Sequence, residues 1–227
     1  MEELPTASRV RLRRRGPDKH PLILSAARNL VAESGFRDAQ MSSVADAAGI
    51  AIGTLYRYFP SKTDLMVEVV KTTAQREVEV VAGVAMQDGS ARERLGAAAW
   101  TFANRALRGG RLAYALVAEP VEPEVEAARL TYHRALARVF RTLIEQGVTA
   151  GEFPAQDAGS AADCIVGCLF EGLMAPLTSD VQGGAAMTAH ATAIITFCLR
   201  GVSGSVEAYR PADAGSPARP TQARRRK

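Results

Sequence analysis

The stretch from Ser42 to Lys62, SSVADAAGIAIGTLYRYFPSK, constrains the fold more tightly than any other part of the chain. It reads as two short helices joined by a tight turn, with small residues where they cross and a polar, aromatic second helix. That arrangement lets a protein lay one helix in the major groove of DNA. Val44, Ala45 and Ala48 share the inner face of the first helix, and Gly49 can take the left-handed conformation that ends it, so that Ile50 turns back into the core. The chain re-enters helix near Ile52, and Leu55 and Phe59 hold that helix down against the first. Thr54, Tyr56 and Arg57 are left for the outer surface, where hydroxyls and a guanidinium meet phosphates or base edges. Ile52 and Gly53 offer only apolar or close-backbone contact. Pro60 stops the helix. Ser61 and Asp64 are spaced as a capping box for the next one, which puts Lys62 in its first turn beside free amides.

Two short helices around a glycine also occur in helical proteins that never touch DNA, so the pattern alone leaves both readings open. The ordered series Ala-Ala-Gly, Gly-Thr-Leu-Tyr and Phe-Pro-Ser-Lys is far more specific. It resembles the N-terminal domain of the TetR family of bacterial transcriptional regulators, in a chain of typical family length. The resemblance runs from about His20 to Val70. It implies phosphate contact by Tyr56, Lys62 and Thr54, and base or groove-edge contact around Ile52, Gly53 and Arg57. Ser42, on the first helix, joins them as a DNA-binding candidate. The family braces this motif with a preceding helix. Here Leu22 to Ser34 carries Ile23, Ala27, Leu30 and Val31 on one stripe, with Gly35 as a stop and Phe36 as a plug. Three positions depart from the family pattern: Gln40 stands where a threonine cap is common, Ala51 where a serine is common, and Ile52 where many members are polar. Both short helices therefore begin with weaker side-chain caps than usual. Base reading at Ile52 would go through a thymine methyl or through DNA shape.

At 227 residues the chain accommodates a small DNA-binding domain and one larger domain of about 140 residues, each with a core. Glycine and proline fall at segment ends, β-branched alternation is almost absent, and alanine-rich stretches of period 3.6 recur, so the expected architecture is all-α. The expected division is a basic flexible arm over 1–19, a three-helix helix-turn-helix domain over 20–66, a helical effector-binding and dimerisation domain over 67–204, and a disordered basic tail over 205–227. No uninterrupted apolar run reaches 18 residues, so nothing is expected to span a membrane, and the N-terminus lacks an apolar signal core, which points to the cytoplasm.

The net charge of +4 is unevenly placed. Residues 1–20 carry six basic and three acidic groups and residues 208–227 six basic and one acidic, which leaves the body at −4. Arg9, Arg11, Arg13, Arg14, Arg15 and Lys19 lie just upstream of the bracing helix, where an arm could reach the backbone or minor groove; a merely solubilising end is the alternative.

In the larger domain the periodicity predicts helices over Lys62 to about Ala85, Ala91 to Leu107, Arg111 to Ala118 after a break at Gly109 and Gly110, about Glu124 to Gln146, about Gly159 to Leu177 and Gly184 to Leu199. The last two are the most apolar and carry few charges, so each is expected to pack against its copy in a second subunit as a four-helix interface, which the resemblance also implies. Gly167, Gly172 and Ala189 would permit close crossing. Cys164 and Cys168 share a helical face, but no further ligand is spaced with them, so they read with Cys198 as small buried thiols, and no metal or cofactor is expected.

The larger domain of the family usually surrounds a small-molecule pocket. Candidate effector-binding residues are Met86, Trp100, Phe102, Tyr114, Tyr132, His133, Phe170 and Met174, each of which also suits an ordinary core. Trp100 and Tyr114 stand out because a buried indole or phenol needs a polar partner that a ligand can supply. No nucleophile, base and orienting group stand at spacings that secondary structure would unite, and no glycine-rich loop follows a strand, so an enzyme is not expected. The expected function is a regulator, a repressor in the family's usual mode, that binds near-palindromic double-stranded operator DNA as a homodimer. A small apolar or aromatic effector releases it. The alternative is a DNA-binding dimer with no effector, gated by a protein partner or constitutive. A cavity in the larger domain would favour the first and solid packing the second.

Overall fold

The structure, a computed structural model, describes residues 18–178 and 185–204, and every regular element within them is a helix. All but the last two positions of the expected basic arm, and the whole of the expected tail, lie outside the described residues.

Helix α1 (His20–Asp38) starts with Pro21 in its first turn and buries Ile23, Ala27 and Val31. Gly35, at φ +84°, breaks it where the sequence stop was placed, and the chain makes one further turn that drives Phe36 into the core. The two short helices follow as α2 (Met41–Ala47) and α3 (Ile52–Tyr58); neither has a side-chain cap, as Gln40 and Ala51 led one to expect. Helix α4 (Lys62–Ala85) starts at Ser61, whose Oγ accepts from the Asp64 N–H at 3.0 Å. The expected capping box is only half made. The Asp64 carboxylate takes the Ser61 hydroxyl at 2.7 Å rather than the Ser61 amide.

A first core gathers Ile23, Val31, Phe36, Val44, Leu55, Phe59, Leu65 and Val69, and it is closed by Ala115 and Val125 from the larger domain. Helices α1 to α3 are thus sealed by residues far along the chain. Helix α4 enters this core with its first half and the second core with Ala74, Val81 and Ala85, and so forms a continuous strut between them.

Helix α5 (Ala91–Val117) begins with a complete capping box between Ser90 and Glu93, and Glu152 accepts from the Ala91 and Arg92 amides at 3.0 Å each. Gly110, at φ +50°, divides it into the two pieces read from the sequence. Helix α6 (Pro123–Thr149) runs three residues past the expected end, because Gly147 stays helical and gives room to Phe153, whose ring a Cβ there would strike. Helices α7 (Ala158–Gly172), α8 (Met174–Thr178) and α9 (Ala185–Ser203) complete the described fold. One expected helix is therefore two, parted at Leu173. By length and composition alone both Ala158–Thr178 and Ala185–Ser203 are apolar enough to cross a bilayer, although threonines, glycines and single charges keep any uninterrupted apolar run short. Each packs one stripe inward, Ile165, Leu169 and Phe170 from α7, and Ala191, Ile195 and Cys198 from α9. Of the three cysteines only Cys198 is buried, Cys168 is half-buried, and Cys164 is exposed on the single chain because it precedes Ile165 by one residue, about 100° round the helix from the inward stripe.

Candidate nucleic-acid interface

The geometry of α3 divides its side chains cleanly. Leu55 is fully buried and Phe59 nearly so, while Ile52 is 43% and Tyr56 49% exposed, with Gly53 and Arg57 also open to solvent. Burying one such side chain stabilises by about 2 kcal/mol, so Leu55 and Phe59 fix which face of this seven-residue helix points outward. Thr54 is half-buried and Ser42, on α2, is exposed. Gly49 has φ +62°, and its successor Ile50 packs against the first core, as the turn requires. The His20 ring lies 5.2 Å from that of Phe59 and 6.5 Å from that of Tyr58, tying the start of α1 to the end of α3.

Lys62 is engaged within the protein. Its ammonium donates to the Arg37 carbonyl at 2.7 Å. A lysine carries three N–H donors, and this bond uses one of them. The Arg37 amide, with that of Phe36, donates to the Glu119 carboxylate at 3.0 Å each.

In the second core the expected effector residues separate into two groups. Phe102, Tyr132, His133 and Phe170 form one aromatic cluster: Phe102 stacks on Phe170 at 5.2 Å between centroids, Tyr132 meets Phe170 edge-on at 6.0 Å, and His133 lies 4.0 Å from Phe170. Beside it a cavity of about 70 Å³ opens between α4, α5 and α6. Phe102 and Tyr132 line it together with Ala74, Ala106, Ala113 and Leu116. Met86 does not belong there. It ends α4 at 85% exposure, over a separate surface groove with Arg94 and Gln146. Trp100, Tyr114 and Met174 are half-buried and outside the lining, Tyr114 although it stands between the lining residues Ala113 and Leu116.

Sequence reasoning missed the charged wall of this cavity. Arg105 and Glu77 form a two-point ion pair, Nε to Oε2 at 2.5 Å and a terminal nitrogen to Oε1 at 2.7 Å. They sit on different helices 28 positions apart, so no local spacing announces the pair. Tyr132 lines the same cavity, its hydroxyl making no hydrogen bond among the described residues, and burial together with the Glu77 charge pushes its pKa well above the ordinary phenol value. Burial lowers the His133 pKa, and its Nε2 is likewise buried without a partner. Arg129, at 3% exposure, was also missed. Its guanidinium donates to the Ala115 carbonyl and to Glu126 Oε2 and lies 5.7 Å from the centre of the Phe36 ring. Arg129 is one of four arginines in this amphipathic helix, and nothing local marks it as the one that faces inward.

Comparison with known proteins matches residues 23–69 to the family model described as bacterial regulatory proteins, tetR family, and residues 88–171 to one described as tetracyclin repressor-like, C-terminal domain. The chain is similar to the fatty acid metabolism regulator protein of Bacillus subtilis, 32% identical over 77 residues that span 34% of this chain and 40% of that protein. It is also similar to the HTH-type transcriptional repressor KstR of Mycolicibacterium smegmatis, 29% identical over 71% of this chain and 78% of the relative. Among solved structures, the transcriptional regulator FadR from Bacillus subtilis in complex with stearoyl-CoA superposes with a TM-score of 0.71 at 20% identity, covering 81% of this chain and 99% of that one. FadR from Bacillus halodurans gives 0.69 at 23% identity, covering 80% and 98%. At these identities the structural likeness speaks for the fold.

Proposed function

The chain belongs to the TetR family of bacterial regulatory proteins, and from that premise we propose that it represses transcription by binding a near-palindromic operator as a dimer and leaves the DNA when an apolar effector enters the larger domain. The observation that carries the first half is the outward row on α3, Ile52, Gly53, Tyr56 and Arg57, set by the burial of Leu55 and Phe59. Tyr56, Lys62 and Thr54 take phosphates; Arg57 and the Ile52–Gly53 corner meet base edges. Dimerisation uses the outer faces of α7 and α9, where Gly167 is open and Phe197 is 67% exposed. A single motif covers too little DNA for tight specific binding, and twofold symmetry sets two motifs about one helical turn apart or slightly more.

The effector reading rests on the cavity between α4, α5 and α6 and on the phenol of Tyr132 in its lining. Because Glu77 already neutralises Arg105, the site favours an apolar molecule with one uncharged hydrogen-bonding oxygen, such as an ester, thioester or ketone, over a free anion. Binding sites for such molecules usually measure about 300 Å³ or more, so the cavity must enlarge on binding. The break at Gly110 lets the two halves of α5 part. The relative solved with stearoyl-CoA makes long acyl thioesters the first compounds to try. The reading that this dimer has no effector is disfavoured by the cavity.

Selection of bound DNA from a random pool tests the first half; recovery of an inverted repeat is expected, and recovery of no consensus would refute it. Titrating the resulting complex with stearoyl-CoA and shorter acyl-CoA thioesters tests the second. Release by at least one chain length, blunted about tenfold in Tyr132→Phe, is expected.

A further inference from the structure

The end of α1 is held from two sides. On one, Glu119 Oε2 accepts from the Phe36 amide and Oε1 from the Arg37 amide, each at 3.0 Å. On the other, Lys62 donates to the Arg37 carbonyl at 2.7 Å. Gly35 is what makes the first grip possible. Its φ of +84° turns those amides outward, and a Cβ in its place would stand 2.7 Å from Oε2 and 2.9 Å from Oε1. The Phe36 ring is clasped in turn by Arg129, which is fastened to the Ala115 carbonyl.

Glu119 hangs from the far end of α5, where its own amide donates to the Tyr114 carbonyl at 3.3 Å. Leu112, Ala113, Leu116 and Val117, on the same piece of helix beyond the Gly110 break, line the cavity. One rigid half-helix thus carries the cavity wall and, two residues past it, the carboxylate that grips the DNA-binding domain.

We propose that Glu119 is the positioning residue through which the cavity acts on the DNA-binding helices: when the second half of α5 is pushed outward, the two-amide grip pulls the end of α1, and with it Lys62 and the start of α4, out of the DNA-binding arrangement. This rests on the effector-released reading above. Two parallel hydrogen bonds to one carboxylate resist rotation as well as separation, so the joint transmits direction in a way that apolar packing does not. The communicating element is a helix half with two positions, and the coupling is the difference in its preference between them.

A test needs no effector if the cavity is filled from within. Ala113→Met places three extra heavy atoms in the lining, and Glu119→Gln leaves one amide facing an N–H₂ group rather than an oxygen. Operator binding by the full chain is measured by fluorescence anisotropy for the parent, each single variant and the double variant. Ala113→Met is expected to weaken binding about tenfold in the parent and less than about twofold beside Glu119→Gln, a non-additivity that a merely structural role for Glu119 would not produce. An equal loss in both backgrounds overturns the role of Glu119 while leaving effector release intact. No loss in the folded parent variant overturns both. If Ala113→Met or Glu119→Gln melts below the assay temperature, Ala106→Leu fills the same cavity from the other side of Gly110, and Glu119→Asp falls one methylene short of the two amides; the same cycle then decides.

Discussion

Replacing Gly167 by arginine separates assembly from folding, because this glycine is exposed on α7 and an ideal Cβ there meets nothing within 4 Å. The protomer should therefore be unharmed, and removing a helix-interior glycine should gain it about 0.5–1 kcal/mol. The proposed dimer fares differently. Twofold symmetry would bring each new guanidinium and its copy into an apolar interface with only Asp163 and Glu171, one turn to either side on the same helix, to receive them, at several kcal/mol for a charge left unpaired. A loss of about 4 kcal/mol corresponds to roughly a thousandfold rise in the dimer dissociation constant. Sedimentation velocity at micromolar concentration should show monomer, circular dichroism should show an unchanged or slightly raised Tm, and affinity for the full operator should fall at least about a hundredfold. Gly172→Ala is the contrasting control. Its Cβ would sit 2.7 Å from Ile194 Cδ1 inside the same protomer, so Tm should fall before assembly does. A folded Gly167→Arg protein that stays dimeric, or one that is monomeric yet binds the full operator as tightly as the parent, would refute the assignment of this face.

Tyr56→Phe and Lys62→Ala should weaken operator and unrelated DNA in similar proportion, and Lys62→Ala should lower the salt slope by about 1; an operator-only loss with an unchanged slope would show that Lys62 serves only the Arg37 carbonyl. Arg57→Ala should cost about 1–3 kcal/mol of discrimination at one base pair per half-site, so an unchanged selected consensus would make Arg57 a backbone contact. The His133 pKa is lowered by burial, so from its unfolded value, about 6.5, down to its folded value the unfolded chain binds the extra proton and stability falls as pH falls. Thermal melts at about pH 7.5 and 5.5 should differ more in the parent than in His133→Gln, and equal differences would place His133 in water.

The sequence alone determined the DNA-binding half of this protein, because the information there is local. Gly49, Leu55, Phe59, Pro60 and Ser61 act within one or two helical turns of the residues they organise, so spacing suffices to say which side chains of α3 face out. The breaks at Gly35 and Gly110 were equally legible, since a left-handed φ favours glycine wherever it occurs. The end of α6 was less so, since whether Gly147 continues a helix depends on where Phe153 lies; the parting at Leu173 had a signal in Gly172 and in Pro176, which has no N–H for the Gly172 carbonyl, but the apolar period runs through it. The effector half was decided by packing. Phe102, Tyr132 and Phe170 come together from three helices, while Met86, equally apolar, ends in water because of where α4 stops. Arg105 and Glu77, and Glu119 with the Phe36 and Arg37 amides, pair across 28 and more than 80 positions. Charges in a sequence read as solvated surface until tertiary structure supplies a partner, and only the fold could show that these few had found one.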